Sequence, residues 1–536
     1  MRWTFLGGLI AATGLLTAGI LGFAVAAEFK SAPERARIPA PRPDPGLPQA
    51  RSSLDLRTDF KLTGVSGWLA VDLKTGQVLD QHLAGEGFAP ASVAKLPTAF
   101  FALDRLGPQY RFETRVAVTG EVRAERLEGD LILIGGGDPE LDNDALLPLV
   151  TQTRELGFRT VAGAFLVDGS AAPNFSAIDP AQPAEAPYNP GLSGLNLNFN
   201  RVRLKWGQPG IEVFAWARRL QPPAETVRVV PAAAAGAPLF THAFDGREEL
   251  WRMSQRALRR KGERWLPVKA PALYSGAVFR GLAETYGMSL DRPRQAAVSG
   301  AQVVARHQSR PLSSMLRDML KYSTNITAEA VGAAASGADE QAFSAAAMNA
   351  WAADLAGFAP GDPGFAFVNH SGLTTASRVS PERMVALLRA LAMRPGGTHA
   401  RLPGVAAGYL KPHNVAAETM PLDYDHLDVV SKTGTMNYIR GLSGYVATPG
   451  GRQLAFAIFS NDLPRRTRGE GLDRRWMGRA RGFERALIRN WVLMTDGSRR
   501  SQKRVAAPRA LRHTLTDRVC NSSFRFSRQR PDDRNP

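Results

Sequence analysis

The stretch "GWLAVDLKTGQVLDQHL" alternates apolar and polar positions on either side of Lys74-Thr75-Gly76, a period of two around turn residues that predicts a β-hairpin. The period then changes. After Ser92, the residues Leu96, Ala99, Phe100, Leu103 and Leu106 recur at helical spacing, and Gly107-Pro108 stops the predicted helix. From Tyr110 to about residue 300 the chain reads as short strands and many turns: "FETRVAVTG", "GDLILIGGG" and "VAGAFLVDG" alternate or run apolar, and Pro and Gly punctuate the residues after them. Helical spacing returns in "PLSSMLRDMLKYSTNITAEAVGAAAS", two segments around a short polar interruption, and in "SPERMVALLRALAMR". "DVVSKTG", "GLSGYVAT" and "RQLAFAIFS" predict three consecutive strands, closed by a helix at "ARGFERALIRNWVLM". After Gly497 the sequence is basic and polar, and disorder is expected.

Helix-containing sequence thus flanks β-rich sequence. We expect a discontinuous domain, 53–109 plus 301–495, interrupted by β-rich insertions over 110–300 and followed by a basic tail, 496–536. The start of the chain carries a different pattern. Arg2 precedes an apolar run that ends in Ala24-Val25-Ala26-Ala27, small residues suited to signal-peptidase cleavage. Residues 1–27 read as a signal peptide or an uncleaved membrane anchor, and either exports the rest of the chain to the periplasm or envelope. Residues 28–52 are proline-rich, a stiff linker.

Composition narrows the function. With 536 residues, 44% of them hydrophobic and 22% charged, the chain can bury a large core. A net charge of +18 suits an anionic partner, but eleven Lys or Arg against four Asp or Glu fall between Asp496 and the end. There is no zinc-finger spacing and no aromatic-rich basic block, so nucleic acid is not an expected partner. The tail's surplus suggests loose attachment to an anionic wall or membrane surface, or else a dispensable extension. One cysteine, Cys520, rules out an intrachain disulfide and any thiolate cluster, and the eight histidines form no metal-binding spacing. No metal or organic cofactor is expected.

Three short motifs could carry chemistry. Ser92 and Lys95 would share a helix face, and Ser92 would sit where backbone N–H groups can stabilise developing negative charge. Serine is a poor nucleophile unless a base takes its proton. Lysine can be that base only if burial or a second cation depresses its pKa. The same residues also read as a helix N-cap and a solvated lysine. Ser323-Thr324-Asn325, at the polar break between two helices, offers a hydroxyl and an amide to a proton and a substrate amide, or simply caps the second helix. Lys432-Thr433-Gly434-Thr435, in a predicted strand, could supply the second cation, hydroxyls for a carboxylate, and a glycine that lets a substrate backbone lie close. The tripeptide Lys-Thr-Gly also occurs at the hairpin turn, 74–76, so only order and context favour the later copy.

Taken in order, Ser-x-x-Lys, Ser-x-Asn and Lys-Thr-Gly are the motif set of class A β-lactamases and penicillin-binding proteins, with Thr324 where those have Asp. The long gap from Ser92 to Ser323, together with "GDLILIGGGDPEL", "NLNFNRVRLKW", "NHSGLTTASRVSP" and "SKTGTMNYIRGLSGYV", resembles the class C low-molecular-mass penicillin-binding proteins, peptidase S13 carboxypeptidase/endopeptidases. The resemblance covers about residues 60 to 495. It implies an α/β fold: a transpeptidase/β-lactamase-like domain, an antiparallel sheet flanked by helices, with inserted β-rich domains.

The resemblance also implies hydrolysis of D-Ala-D-Ala peptides of peptidoglycan, with β-lactams as covalent inhibitors. Ser92 would be acylated with Lys95 as its base. Ser323 and Asn325 would shuttle the proton and orient the scissile amide, while Lys432, Thr433 and Thr435, beside Gly434, would hold the terminal carboxylate. Backbone N–H groups of Ser92 and Thr435 would form the oxyanion hole. Family members that bind the free amine of a diaminopimelate side chain use an acidic residue from the insertion; in "SAIDPAQPAEAPYNPG" Glu185 is the first candidate and Asp179 the second. Asp138 and Ser371-Gly372-Leu373 are expected to be scaffold turns. A β-lactamase or esterase with the same machinery, or a non-catalytic wall-binding protein, are the alternatives.

Overall fold

A computed structural model describes residues 50–505, apart from 209, 234–237, 395–400, 403 and 416–426. The expected signal peptide, most of the linker, the tail beyond 505 and Cys520 lie outside the described residues. The hairpin forms as predicted: β1 (Val65–Asp72) pairs antiparallel with β2 (Val78–His82) around the Lys74-Thr75-Gly76 turn. The helix expected from Ser92 is split. Residues Ala91–Ala94 form a 3₁₀ turn that runs into α1 (Lys95–Leu106). Side chains at i and i+3 eclipse in 3₁₀ geometry, which brings Ser92 and Lys95 together.

The segment from Glu113 to Gln308 builds its own sheets over a separate apolar core containing Leu133, Leu204, Trp251 and Phe279. It is not as uniformly β as its sequence suggests. Two helices, α2 (Asn143–Arg154) and α3 (Pro271–Thr285), pack against that core. Between them, β3 (Arg201–Trp206), β4 (Ile211–Phe214) and β5 (Gly262–Pro267) form a three-stranded antiparallel sheet with β3 central. The second of these helices, α3, begins at a proline, the favoured first helical position.

Four helices follow: α4 (Leu312–Tyr322), α5 (Asn325–Ser336), α6 (Gln341–Leu355) and α7 (Pro381–Ala392). The chain then re-enters the first sheet with β6 (Lys411–Pro412), β7 (Asp428–Met436), β8 (Ile439–Ala447) and β9 (Gln453–Asn461). The order is β6-β7-β8-β9-β1-β2, with every neighbour antiparallel. In β9, Ala455, Ala457 and Phe459 face α1 and α4–α7, while Leu454, Phe456 and Ile458 face α8 (Arg474–Val505). Period two with both sides apolar means a sheet covered on both faces. The closing helix continues to Val505, beyond the Gly497 at which disorder was expected. Lys, Arg and Gln are good helix formers, so one glycine in a basic run does not stop it.

Candidate active site

Three elements converge on Lys95. Its ammonium nitrogen is 3.0 Å from Ser92 Oγ and donates to Asn325 Oδ1 at 2.7 Å and to the Ser371 carbonyl at 2.7 Å. Ser92 is half-buried at the mouth of a cleft of about 1130 Å³, whereas Lys95 is fully buried. Burial pulls the Lys95 pKa down to about 7, against the opposing pull of Glu329.

Asn325 opens α5 directly after Ser323, and its amide is fixed from both ends. The Nδ2 donates to the Tyr188 carbonyl at 2.8 Å, so the oxygen must be the atom that faces Lys95. Ser323 ends α4 in the left-handed conformation, φ 63°, which turns its hydroxyl out of the helix path. There it accepts from Lys432 Nζ at 3.0 Å. Lys432 also donates to the Thr433 carbonyl at 2.7 Å. Its pKa lies well below the usual lysine range, through burial first and then the positive charges of Lys95, Lys411 and Arg440.

Strand β7 presses against the 3₁₀ turn. A methyl group on Gly434 would overlap the Pro90 carbonyl oxygen and come within 3.1 Å of the Ser92 and Val93 nitrogens, so only glycine allows this approach. Thr433 and Thr435 line the cleft. Thr435 Oγ1 accepts from Arg440 Nη1 at 2.6 Å, and Arg440 in turn is paired with buried Glu484 on α8 at 2.9 and 3.0 Å.

All four residues singled out at Ser92, Lys95, Ser323 and Asn325 therefore meet, and Lys432, Thr433, Gly434 and Thr435 close the same space. Glu185 does not join them. Its backbone carbonyl accepts from Arg264 Nη2 at 3.0 Å, its charge acts on Lys269 and Arg264, and it is not among the residues that line the cleft. Asp179, the second candidate, does line it, with Tyr188 and Arg466 as neighbours.

Three participants were not foreseen. Glu329 on α5 is buried and accepts the backbone N–H groups of Ser371 at 2.8 Å and His370 at 3.2 Å, which aims the Ser371 carbonyl at Lys95. Ser371 belongs to a turn read only as scaffold, and Gly372 beside it takes φ +72° hard against the Ala91 carbonyl. Arg440 is the third. The lone glutamate in "ITAEAVGAAA" was a legible signal, because an unpaired acid on an apolar helix face demands a partner.

A sequence model of the D-Ala-D-Ala carboxypeptidase 3 (S13) family matches residues 54–475. The chain is 29% identical over 453 residues to a D-alanyl-D-alanine carboxypeptidase of Actinomadura sp. (strain R39), covering 77% of this chain and 81% of the relative. It is 22% identical over 450 residues to the D-alanyl-D-alanine carboxypeptidase DacB of Haemophilus influenzae, covering 74% and 85%. The crystal structure of penicillin binding protein 4 from Haemophilus influenzae superposes with a TM-score of 0.64 at 20% identity, over 82% of this chain and 99% of that one, which supports the fold. A match spanning most of the chain leaves one assignment: the protein is a serine-type peptidase belonging to the D-Ala-D-Ala carboxypeptidase 3 (S13) family.

Proposed function

We propose that the cleft hydrolyses peptidoglycan peptides ending in D-Ala-D-Ala by way of an acyl-enzyme on Ser92. The carrying observation is the hydrogen-bond arithmetic at Lys95. A neutral amine has two N–H donors and one lone pair. Asn325 Oδ1 and the Ser371 carbonyl are pure acceptors at 2.7 Å and claim both donors, so the lone pair is left for the Ser92 hydroxyl. The pKa near 7 keeps a large share of Lys95 neutral at physiological pH.

In this reading the Ser92 oxygen attacks the scissile carbonyl while its proton passes to Lys95. The proton then reaches the leaving amine through the Ser323 hydroxyl, which Lys432 orients. D-Ala departs as the C–N bond breaks, and water hydrolyses the ester by the reverse proton path. Asn325 holds the substrate amide, while Lys432, Thr433 and Thr435 hold the terminal carboxylate. The backbone N–H groups of Ser92 and Thr435, across the Gly434 contact, take the oxyanion. We assign the amine-binding role to Asp179 in place of Glu185. A β-lactam would enter as a mimic of the D-Ala-D-Ala end. The division into a catalytic domain, 53–109 with 301–495, and an insertion over 110–300 belongs to this proposal, as does a periplasmic location with peripheral attachment. Among the described residues no helix is long and apolar enough to cross a membrane.

Brief exposure to benzylpenicillin followed by intact-mass measurement tests it. One adduct on the wild type and none on Ser92→Ala is expected, with D-Ala released from an uninhibited sample. Penicillin consumption without an adduct would instead mark a β-lactamase, and neither consumption nor adduct would end the assignment.

A further inference from the structure

Half of the cation–aromatic contacts among the described residues fall on one face of one small sheet. In β3 the residues Val202 and Leu204 point into the core of the inserted segment, which turns Arg201, Arg203 and Lys205 to the opposite face. There the cations interleave with rings. The Arg201 guanidinium sits 5.4 Å from the Phe199 ring and 5.3 Å from Trp265, and Arg203 sits 4.1 Å from Trp216 and 5.9 Å from Trp265. Lys205 Nζ lies 5.5 Å from Trp216 and 5.6 Å from Phe214.

Charge on this stripe is only partly neutralised. Arg203 is paired with Glu263 at 2.6 Å. Arg201 and Lys205 have no carboxylate within ion-pair distance among the described residues, and Arg201 Nε is buried without a hydrogen-bond partner. A guanidinium held between two rings and lacking an acid is a receptor for a planar anion, because its remaining N–H fork is pre-organised.

The stripe starts close behind the cleft lining, one packing contact from the residue that follows Asn325. Phe199 packs against Leu192, Ile326 and Ala330, and Ile326 adjoins Asn325. Three consecutive non-glycine residues, Asn198, Phe199 and Asn200, take positive φ of 53°, 55° and 50° to place that ring. Asparagine side chains hold the turn: Asn198 Nδ2 donates to Asn143 Oδ1 at 2.7 Å, and Asn200 Nδ2 donates to the Gly191 carbonyl at 2.9 Å. Such strain persists only where surrounding contacts over-determine it.

We propose that the outer face of the β3-β4-β5 sheet docks the glycan strand of peptidoglycan while one of its stem peptides occupies the cleft. The half-buried rings keep an accessible margin for the C–H groups of sugars, and the interleaved cations accept the carboxylates that such a strand carries wherever a sugar bears no stem peptide. Continuity with Asn325 gives the surface its direction. The inference rests on the peptidoglycan reading of the cleft and adds a second contact to it.

The test uses the full chain with the cleft blocked by benzylpenicillin, titrated with peptide-free glycan strands and followed by tryptophan fluorescence. Saturable binding is expected, at least fivefold weaker in Trp216→Ala and in Arg201→Gln, with penicillin acylation changed less than twofold. Lys205→Gln, at the outer end of the stripe, replaces either variant that fails to acylate. Equal binding by wild type and variants would overturn the proposal. So would equal or tighter binding of polyglutamate, an oligonucleotide or anionic vesicles, since charge alone would then suffice. Failure of the cleft reading shows separately, as a missing penicillin adduct in the mass spectrum.

Discussion

At Lys95 the decisive quantity is the fraction of neutral amine. Burial favours the uncharged form, and the residual attraction of Glu329 keeps the pKa at about 7 and no lower. With Lys95 as the proposed base, the acylating species needs the amine neutral, so its population falls tenfold for each pH unit below that value. In the proposed mechanism Lys432 acts in the opposite state, charged, to bind the ligand carboxylate, and its pKa also lies below the usual range. A bound carboxylate favours the charged form and restores part of the loss. The second-order rate constant for benzylpenicillin acylation should therefore rise with unit slope up to about pH 7, level, and fall again before the ordinary lysine range. Stopped-flow acylation across about pH 5 to 10 measures this. A profile governed by a group titrating near pH 4 to 5, or none at all, would remove Lys95 from the role of base.

At the scale of elements, β7 does not hold its own chemistry in place. Thr435 is positioned by Arg440 on β8, and Arg440 by Glu484 on α8, so the hydroxyl proposed to bind the carboxylate depends on a helix on the far side of the sheet. Both partners of the ion pair are buried. Glu484→Ala would leave the Arg440 charge desolvated and unpaired, at a cost of about 3–5 kcal/mol. The double variant Arg440→Met with Glu484→Met, which removes both charges, should lose clearly less, while both variants weaken peptide turnover through the freed Thr435. Urea unfolding midpoints decide it, and a single-variant loss below about 1 kcal/mol would show the pair to be idle.

This linkage also shows what the sequence could and could not convey. The hairpin, the helix pair around Ser323 and the three strands were legible because period two and helical spacing are written locally, and the motif order joined them into one site. Arg440 and Glu484 lie 44 positions apart in strand and helix patterns that look ordinary, and only the packing of α8 against the sheet brings them together. Glu185 and Asp179 show the same limit within a proline-rich loop, where no periodicity says which side chain turns inward.

At the larger scale, the cleft is shared between the sheet-and-helix body and the segment Glu113 to Gln308 that has its own core. That segment supplies the Tyr188 carbonyl that accepts from Asn325 Nδ2, and it brings Asp179 to the cleft wall. The Asp179 loop is pinned by Asn189, which accepts the Asp179 N–H at 2.9 Å and returns a hydrogen bond from Nδ2 to the Asp179 carbonyl at 2.9 Å. The carboxylate itself accepts from Ala181 N at 2.9 Å and Gln182 Nε2 at 3.2 Å, which leaves acceptor capacity for a cation in the cleft. Arg466 lines the same cleft and interacts electrostatically with Asp179, so an incoming amine would meet a prepared but charge-balanced mouth. Asp179→Asn keeps the shape and removes the charge. It should lower kcat/KM for stem peptides with a free side-chain amine by about tenfold or more, a loss of about 1.4 kcal/mol. The same peptides with that amine acetylated, and benzylpenicillin, should change less than threefold, because neither carries the cation that Asp179 would bind. Glu185→Gln should leave all three substrates unaffected. If Asp179→Asn slowed the acetylated peptide equally, the residue would be shaping the loop and not reading the amine, and the insertion would contribute architecture to the cleft without selecting its substrate.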